Sequence, residues 1–136
     1  MILEGIQSYF GGIGNFYKHG VNNVQYLVSS VVDLSKIIDH FDKYPLISNK
    51  QADFILFKEI LYLIKCKEHL TNEGVQKIVN LRASKNNGLS DELKQAFPNT
   101  IPVERPIIKN QTLDSDWLAG LTTAEGHFYS HVYKKK

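Results

Sequence analysis

At 136 residues with 43% apolar side chains, the chain is long enough to bury a core of its own, which excludes wholesale disorder. A charged fraction of 22% and a formal net charge of +2 exclude a histone-like polycation. No apolar run approaches the ~20 residues of a membrane span, and the N-terminus is neither basic nor Ser-rich, so neither a membrane partner nor a leader peptide is expected.

Charge is unevenly distributed. Of the 14 acidic residues, 12 fall between Asp33 and Asp116, while residues 5–32 and the stretch after Glu125 have none. Negative side chains repel phosphate, so two acid-free segments carrying Lys, His, Asn, Gln and Tyr suit a nucleic-acid partner; short polar strands also lack acids by chance. The single cysteine, Cys66, has no internal disulfide partner, and its apolar helical surroundings predict a buried thiol in a reducing compartment.

Residues 2–10 place Ile2, Ile6, Tyr9 and Phe10 at helical spacing, ended by Gly11 and Gly12, so the chain is expected to begin inside an element of a longer frame. Residues 14–19 and 24–29 read as a β-hairpin around Gly20, Val21, Asn22 and Asn23. Alternation turns Phe16, Tyr26 and Val28 toward a core. It gathers Asn15, Tyr17, His19, Gln25 and Ser29 on a polar, uncharged outer face, with Leu27 the apolar exception.

A helical middle follows. Ser30 and Asp33 start a helix bearing Leu34, Ile37, Ile38 and Phe41 until Tyr44-Pro45 closes it. Ser48 and Gln51 repeat that start ahead of Phe54, Phe57, Leu61 and Ile64. Thr71 caps a helix with Val75, Ile78 and Val79 inward, and Ser90 one with Leu93, Ala96 and Phe97. Residues 98–113 hold three prolines and little periodicity, which reads as an extended linker. His40 and His69 fall in helical segments as ordinary packed or surface residues, and His127 and His131 lack the partners a zinc site needs.

After the linker, Asp114 and Asp116 start a helix through Trp117 and Ala124 that ends at Glu125-Gly126, followed by a strand from His127 to Tyr133. Gly120 costs roughly 1 kcal/mol of helix propensity relative to Ala, tolerable where another backbone comes close. Ala119, Gly120, Thr123 and Ala124 make a flat side for such contact. Gly126 is expected to end the helix in a left-handed turn. A carboxylate at a helix C-terminus opposes the dipole, so Glu125 is either a solvated helix end or a ligand for a hard divalent cation.

Residues 118–126, L-A-G-L-T-T-A-E-G, with Trp117 before and Phe128 after, resemble the motif that names the LAGLIDADG homing endonucleases; Thr122 and Thr123 depart from the name's Ile and Asp. The resemblance extends over V-S-S-V-V-D-L-S-K-I-I-D-H-F-D-K-Y-P-L-I, K-E-H-L-T-N-E-G and G-L-S-D-E-L-K-Q-A-F-P, which look like the single-chain, two-repeat enzymes of fungal mitochondrial introns. It implies an α+β fold in which hairpins lie in the DNA major groove and helices back them. Residues 1–97 would then be the later part of a first repeat, 98–113 the inter-repeat linker, and 114–136 the start of a second.

The resemblance further implies site-specific, Mg2+-dependent hydrolysis of double-stranded DNA, with Glu125 as the catalytic metal carboxylate. Trp117, Leu118, Ala119, Gly120 and Ala124 would pack against the other motif helix. Base contacts would come from Asn15, Tyr17, His19, Asn22, Asn23, Gln25 and Ser29, and from His127, Tyr129, His131 and Tyr133. Lys18 and Lys134 to Lys136 would touch phosphates.

No L-A-G-x-x-x-x-E-G precedes Leu118, so the first carboxylate is expected outside this chain, which would be inactive alone and would need the missing repeat segments or a self-associating copy as partner. Mitochondrial location follows from the same resemblance. Intron-RNA maturase and plain DNA-binding module are the alternatives within the family.

Overall fold

A computed structural model describes residues 2–108 and 112–126. In chain order they form α1 (Ile2–Tyr9), β1 (Asn15–His19), β2 (Asn23–Leu27), α2 (Val31–Lys43), α3 (Lys50–Lys65), a 3-10 turn (Glu68–Leu70), α4 (Asn72–Ala83), α5 (Asp91–Ala96) and α6 (Ser115–Glu125). The α+β expectation holds, with one two-stranded antiparallel sheet among the described residues.

The turn from α1 into the hairpin needs glycine. Gly11, Gly12 and Gly14 all have positive φ, and a Cβ on Gly14 would lie 2.7 Å from the Tyr26 ring and 2.8 Å from the Leu27 carbonyl oxygen. That close approach lets the Tyr26 hydroxyl donate to the Ile13 carbonyl at 2.8 Å, while Gln7 Nε2 donates to the Gly14 carbonyl at 2.9 Å. Helix α1 and the hairpin are thus tied together at their junction.

Helix starts are set by side-chain caps. Ser30 Oγ accepts the Asp33 N–H at 3.4 Å, Thr71 Oγ1 the Gly74 N–H at 3.0 Å, and Ser90 Oγ the Leu93 N–H at 3.4 Å, all as expected from sequence. The start of α3 differs from the expected reciprocal pair. Ser48 Oγ takes the Lys50 N–H at 3.1 Å, but Gln51 Oε1 reaches past it to the Leu46 N–H at 2.9 Å, bracing the loop after α2 instead. Helix α4 meets the 3-10 turn so tightly at Gly74 that an added Cβ would fall 1.9 Å from the Glu68 carbonyl oxygen.

The core lies between α2 and α3, where Ile38, Phe54 and Leu61 are buried with Val31, Leu34, Phe41, Leu46 and Phe57 packed around them. Phe41 and Phe54 meet edge to face at 5.6 Å. On α3, Ala52 and Leu56 are also buried, and on α4, Val79 and Leu81. Helix α3 therefore buries a wider arc than the Phe54, Phe57, Leu61 and Ile64 stripe, since α2 and α4 both pack on it.

Two further expectations fail. Cys66 is exposed, because it is the residue that ends α3, and Lys67 after it turns into the left-handed region at φ 61°. Gly126 is extended, at φ −68° and ψ 136°, rather than left-handed. What demands glycine there is proximity: the Gly126 N–H bonds the Thr122 carbonyl at 2.8 Å, and a Cβ would sit 2.3 Å from that oxygen.

Candidate nucleic-acid interface and metal carboxylate

The hairpin register pairs Asn15 with Leu27, Tyr17 with Gln25 and His19 with Asn23, and on the opposite face Phe16 with Tyr26 and Lys18 with Val24. Asn15, Tyr17, His19, Asn23 and Gln25 therefore share one face, and all five are exposed. Phe16 and Tyr26 are half-buried behind it, their rings 5.6 Å apart. Asn23 belongs to β2 rather than to the turn, which leaves Gly20, at φ +72°, with Val21 and Asn22 as the connection. Asn22 is exposed there, and Ser29 is exposed just past the end of β2. The face presents amide, imidazole and phenol groups that donate and accept hydrogen bonds without net charge, the chemistry that reads base edges.

Helix α6 is capped as its sequence dictates. Asp114 Oδ1 accepts the N–H groups of Asp116 at 2.9 Å and Trp117 at 3.0 Å. No residue of α6 is buried. Ala119, Gly120, Thr123 and Ala124 are exposed, and a Cβ on Gly120 would meet no atom within 4 Å, so the flat side stands open. Leu118 is exposed beside it, and Trp117 is half-buried. Glu125 closes the helix and is exposed. Among the described residues no group of three or more His, Cys, Asp or Glu is placed to hold a metal ion. Glu125 is thus an exposed carboxylate at the end of α6, a hard oxygen donor with no cluster of further donors around it among the described residues. His127, Tyr129, His131 and Tyr133 lie outside the described residues.

Sequence reasoning passed over one cluster. Trp117, Asp114 and Asp116 line a cavity of about 500 Å3 together with His40, Phe41, Lys43, Tyr44, Leu46 and other residues around the end of α2. His40 is ringed by Tyr9, Phe10, Phe41 and Tyr44 at centroid distances of 5.0 to 5.4 Å, and its Nδ1 lies 3.4 Å from the Tyr9 hydroxyl. Lys43 Nζ lies 5.3 Å from the centre of the Tyr44 ring. The spacing of His40, Lys43 and Tyr44, three and four residues apart, was the available signal, because it puts them on one side of the last turn of α2.

Comparison with known proteins agrees with this architecture. The sequence profile of the LAGLIDADG endonuclease family matches residues 1–61. "Probable intron-encoded endonuclease 3" of Neurospora crassa is 47% identical over 130 residues, covering 93% of this chain and 24% of that protein. The "Uncharacterized 50.9 kDa protein in ND4 intron 1" of Podospora anserina is 56% identical over 70 residues, covering 52% of this chain and 15% of that protein. Among solved structures, the I-SmaMI LAGLIDADG homing endonuclease bound to cleaved DNA superposes with a TM-score of 0.94 at 44% identity, over 99% of this chain and 46% of that one. The chain thus spans about a quarter of the Neurospora relative's length and a little under half of the I-SmaMI chain. Residues 1–61 thus match the LAGLIDADG endonuclease family by sequence, and the chain shares the fold of the I-SmaMI LAGLIDADG homing endonuclease.

Proposed function

We propose that this chain is part of a site-specific, double-strand DNA homing endonuclease, supplying one DNA-reading hairpin and one of two metal carboxylates. The observation that carries the reading is the hairpin register, which collects Asn15, Tyr17, His19, Asn23 and Gln25 on one exposed, uncharged face. The DNA-bound state of I-SmaMI and the name of the Neurospora protein point the same way. Residues 1–97 act as the later part of a first repeat, 98–113 as the linker, and 114–136 as the start of a second. Asn22 and Ser29 extend the reading face, and further base contacts are proposed for His127, Tyr129, His131 and Tyr133.

On this reading Glu125, together with a carboxylate from a second motif helix, would hold a Mg2+ ion, which would supply Lewis-acid polarisation of the phosphodiester and activation of water. The chain's own residues orient and position. Asn and Gln pair with adenine edges, fixing register on the duplex, while the open side of α6 around Ala119, Gly120 and Ala124 receives the second motif helix with Trp117 and Leu118 at its border. Half a site does not hydrolyse DNA, so the chain is inactive until missing repeat segments or a second copy complete it. A mitochondrial location suits a protein whose relatives are named for introns, one of them in ND4.

The test is cleavage of duplex DNA by this chain mixed with a first-repeat fragment, with and without Mg2+. Cleavage that needs both, and that Glu125→Gln abolishes while DNA binding persists, supports the reading. Equal loss of binding and cleavage in Glu125→Gln would remove the catalytic assignment.

A further inference from the structure

The connection between α5 and α6 does not hang free. Gln76 Nε2 lies 3.4 Å from Thr100 Oγ1, the Ile101 N–H donates to Asn80 Oδ1 at 3.1 Å, and the Val103 N–H to the Asn80 carbonyl at 3.4 Å. Ser84 Oγ donates to the Val103 carbonyl. Residues 100–103 are thereby laid along α4 like a strap.

Arg105 ends the strap. Its Nη1 donates to Asp53 Oδ1 and to the Ser84 carbonyl, both at 2.8 Å, and its Nη2 to the Asn49 carbonyl at 3.0 Å. Asp53 Oδ1 also accepts the Asn86 N–H at 2.8 Å. Four stretches of chain meet there: the start of α3, the end of α4, the turn beyond it and the connection itself. Asp53 is the buried charged residue among those described, 7% exposed. A buried carboxylate is costly unless paired, and an apolar pair would hold two helices as well. A planar fork that reads two backbone carbonyls and a carboxylate together adds direction, because its donors are rigidly arranged.

We propose that Arg105, anchored by Asp53, is the positioning residue that fixes where the polypeptide leaves the first repeat, and so where α6 and Glu125 stand against it. Helix α6 has need of such an anchor, since none of its residues is buried and its Trp117 rests in the open cavity beside the end of α2. With the clamp closed, residues 106–113 separate Arg105 from the capping Asp114; with Arg105 lost and the Val103 contacts kept, residues 104–113 do. Effective concentration falls roughly as the −3/2 power of tether length, so ten residues in place of eight lower seating of α6 about 1.4-fold, before any loss of direction. The positional claim stands on its own, and only its catalytic consequence rests on the reading of Glu125 above.

Cys66, free and exposed, provides a native labelling site. Spin labels on Cys66 and on Ser115→Cys in the full chain report the placement of α6 as a distance distribution. Arg105→Met is expected to broaden that distribution and lower the seated population by at least about 1.4-fold, with far-UV circular dichroism unchanged, and Arg105→Lys to restore it in part through the Asp53 contact. A distribution in folded Arg105→Met that superposes on the parent's overturns the proposal. If Arg105→Met fails to fold, Arg105→Lys keeps a charged partner for Asp53 while losing the fork on the Ser84 and Asn49 carbonyls; there, broadening supports the proposal and an unchanged distribution overturns it. Because the readout is a distance, a failure of Glu125→Gln to affect cleavage leaves this result intact, and the reverse.

Discussion

Asp53 and Arg105, separated by 52 residues in sequence, meet at 2.8 Å and close the helical layer over the start of α3. The Arg105 guanidinium hydrogen-bonded to it, and the Asn86 N–H, hold the Asp53 carboxyl below the usual carboxylate range against the opposing effect of burial. A carboxyl depressed in the folded state stabilises the fold above its unfolded pKa of about 3.9, and that contribution disappears as pH falls through the lower folded value. Urea unfolding is expected to show stability falling below about pH 4 in the parent and a shallower fall in Arg105→Met. At neutral pH Arg105→Met costs on the order of 2 kcal/mol, because the carboxylate loses its chief partner while remaining buried.

Among the described residues Leu56 is the most enclosed large side chain, 1% exposed. Leu56→Ala leaves a void that helices on both sides of α3 cannot both close, so a loss of about 3 kcal/mol is expected in denaturant midpoint experiments.

Two glycines on helices predict opposite outcomes. Gly74→Ala drives a methyl group into the Glu68 carbonyl and is expected to separate the 3-10 turn from α4, lowering the melting temperature. Gly120→Ala meets open space and improves helix propensity by about 1 kcal/mol, so it raises the stability of α6 in this chain. In a complex with a second motif helix the same methyl group would obstruct close approach. Helicity measured alone, and cleavage measured with a first-repeat fragment, are expected to move in opposite directions for Gly120→Ala.

Much of the local structure was legible because its causes are local. Ser30, Thr71, Ser90 and Asp114 cap the helices they precede, and a period of two was enough to sort Asn15, Tyr17 and His19 from Phe16. What escaped depends on residues far along the chain. Asp53 in sequence is an ordinary acid in the first turn of α3, and only Arg105 makes its burial tolerable. Cys66 sits in an apolar stretch yet lies exposed, since the helix ends at that residue. At Gly126 the residue type was informative, but the reason was the nearness of the Thr122 carbonyl rather than a positive φ.

Tyr17 and Gln25 are cross-strand partners on the outer face and touch little of the core. Gln25→Ala is expected to leave the melting temperature unchanged while reducing discrimination at one base pair by about 1 to 3 kcal/mol in competition binding with the completed protein. Uniform weakening across all sequences would instead mark Gln25 as a phosphate contact.

The short Gly20 to Asn22 connection fixes which side chains of the two strands look outward. Such a surface is open to change by substitution, one position at a time, and closed to change by length. Deleting a single residue within β1 would swing Phe16 and Lys18 outward and Tyr17 inward, exchanging the outer polar face for the one behind it. If this face reads DNA as proposed, new target preferences should arise through point replacements at alternate positions, with insertions and deletions confined to the hairpin tip.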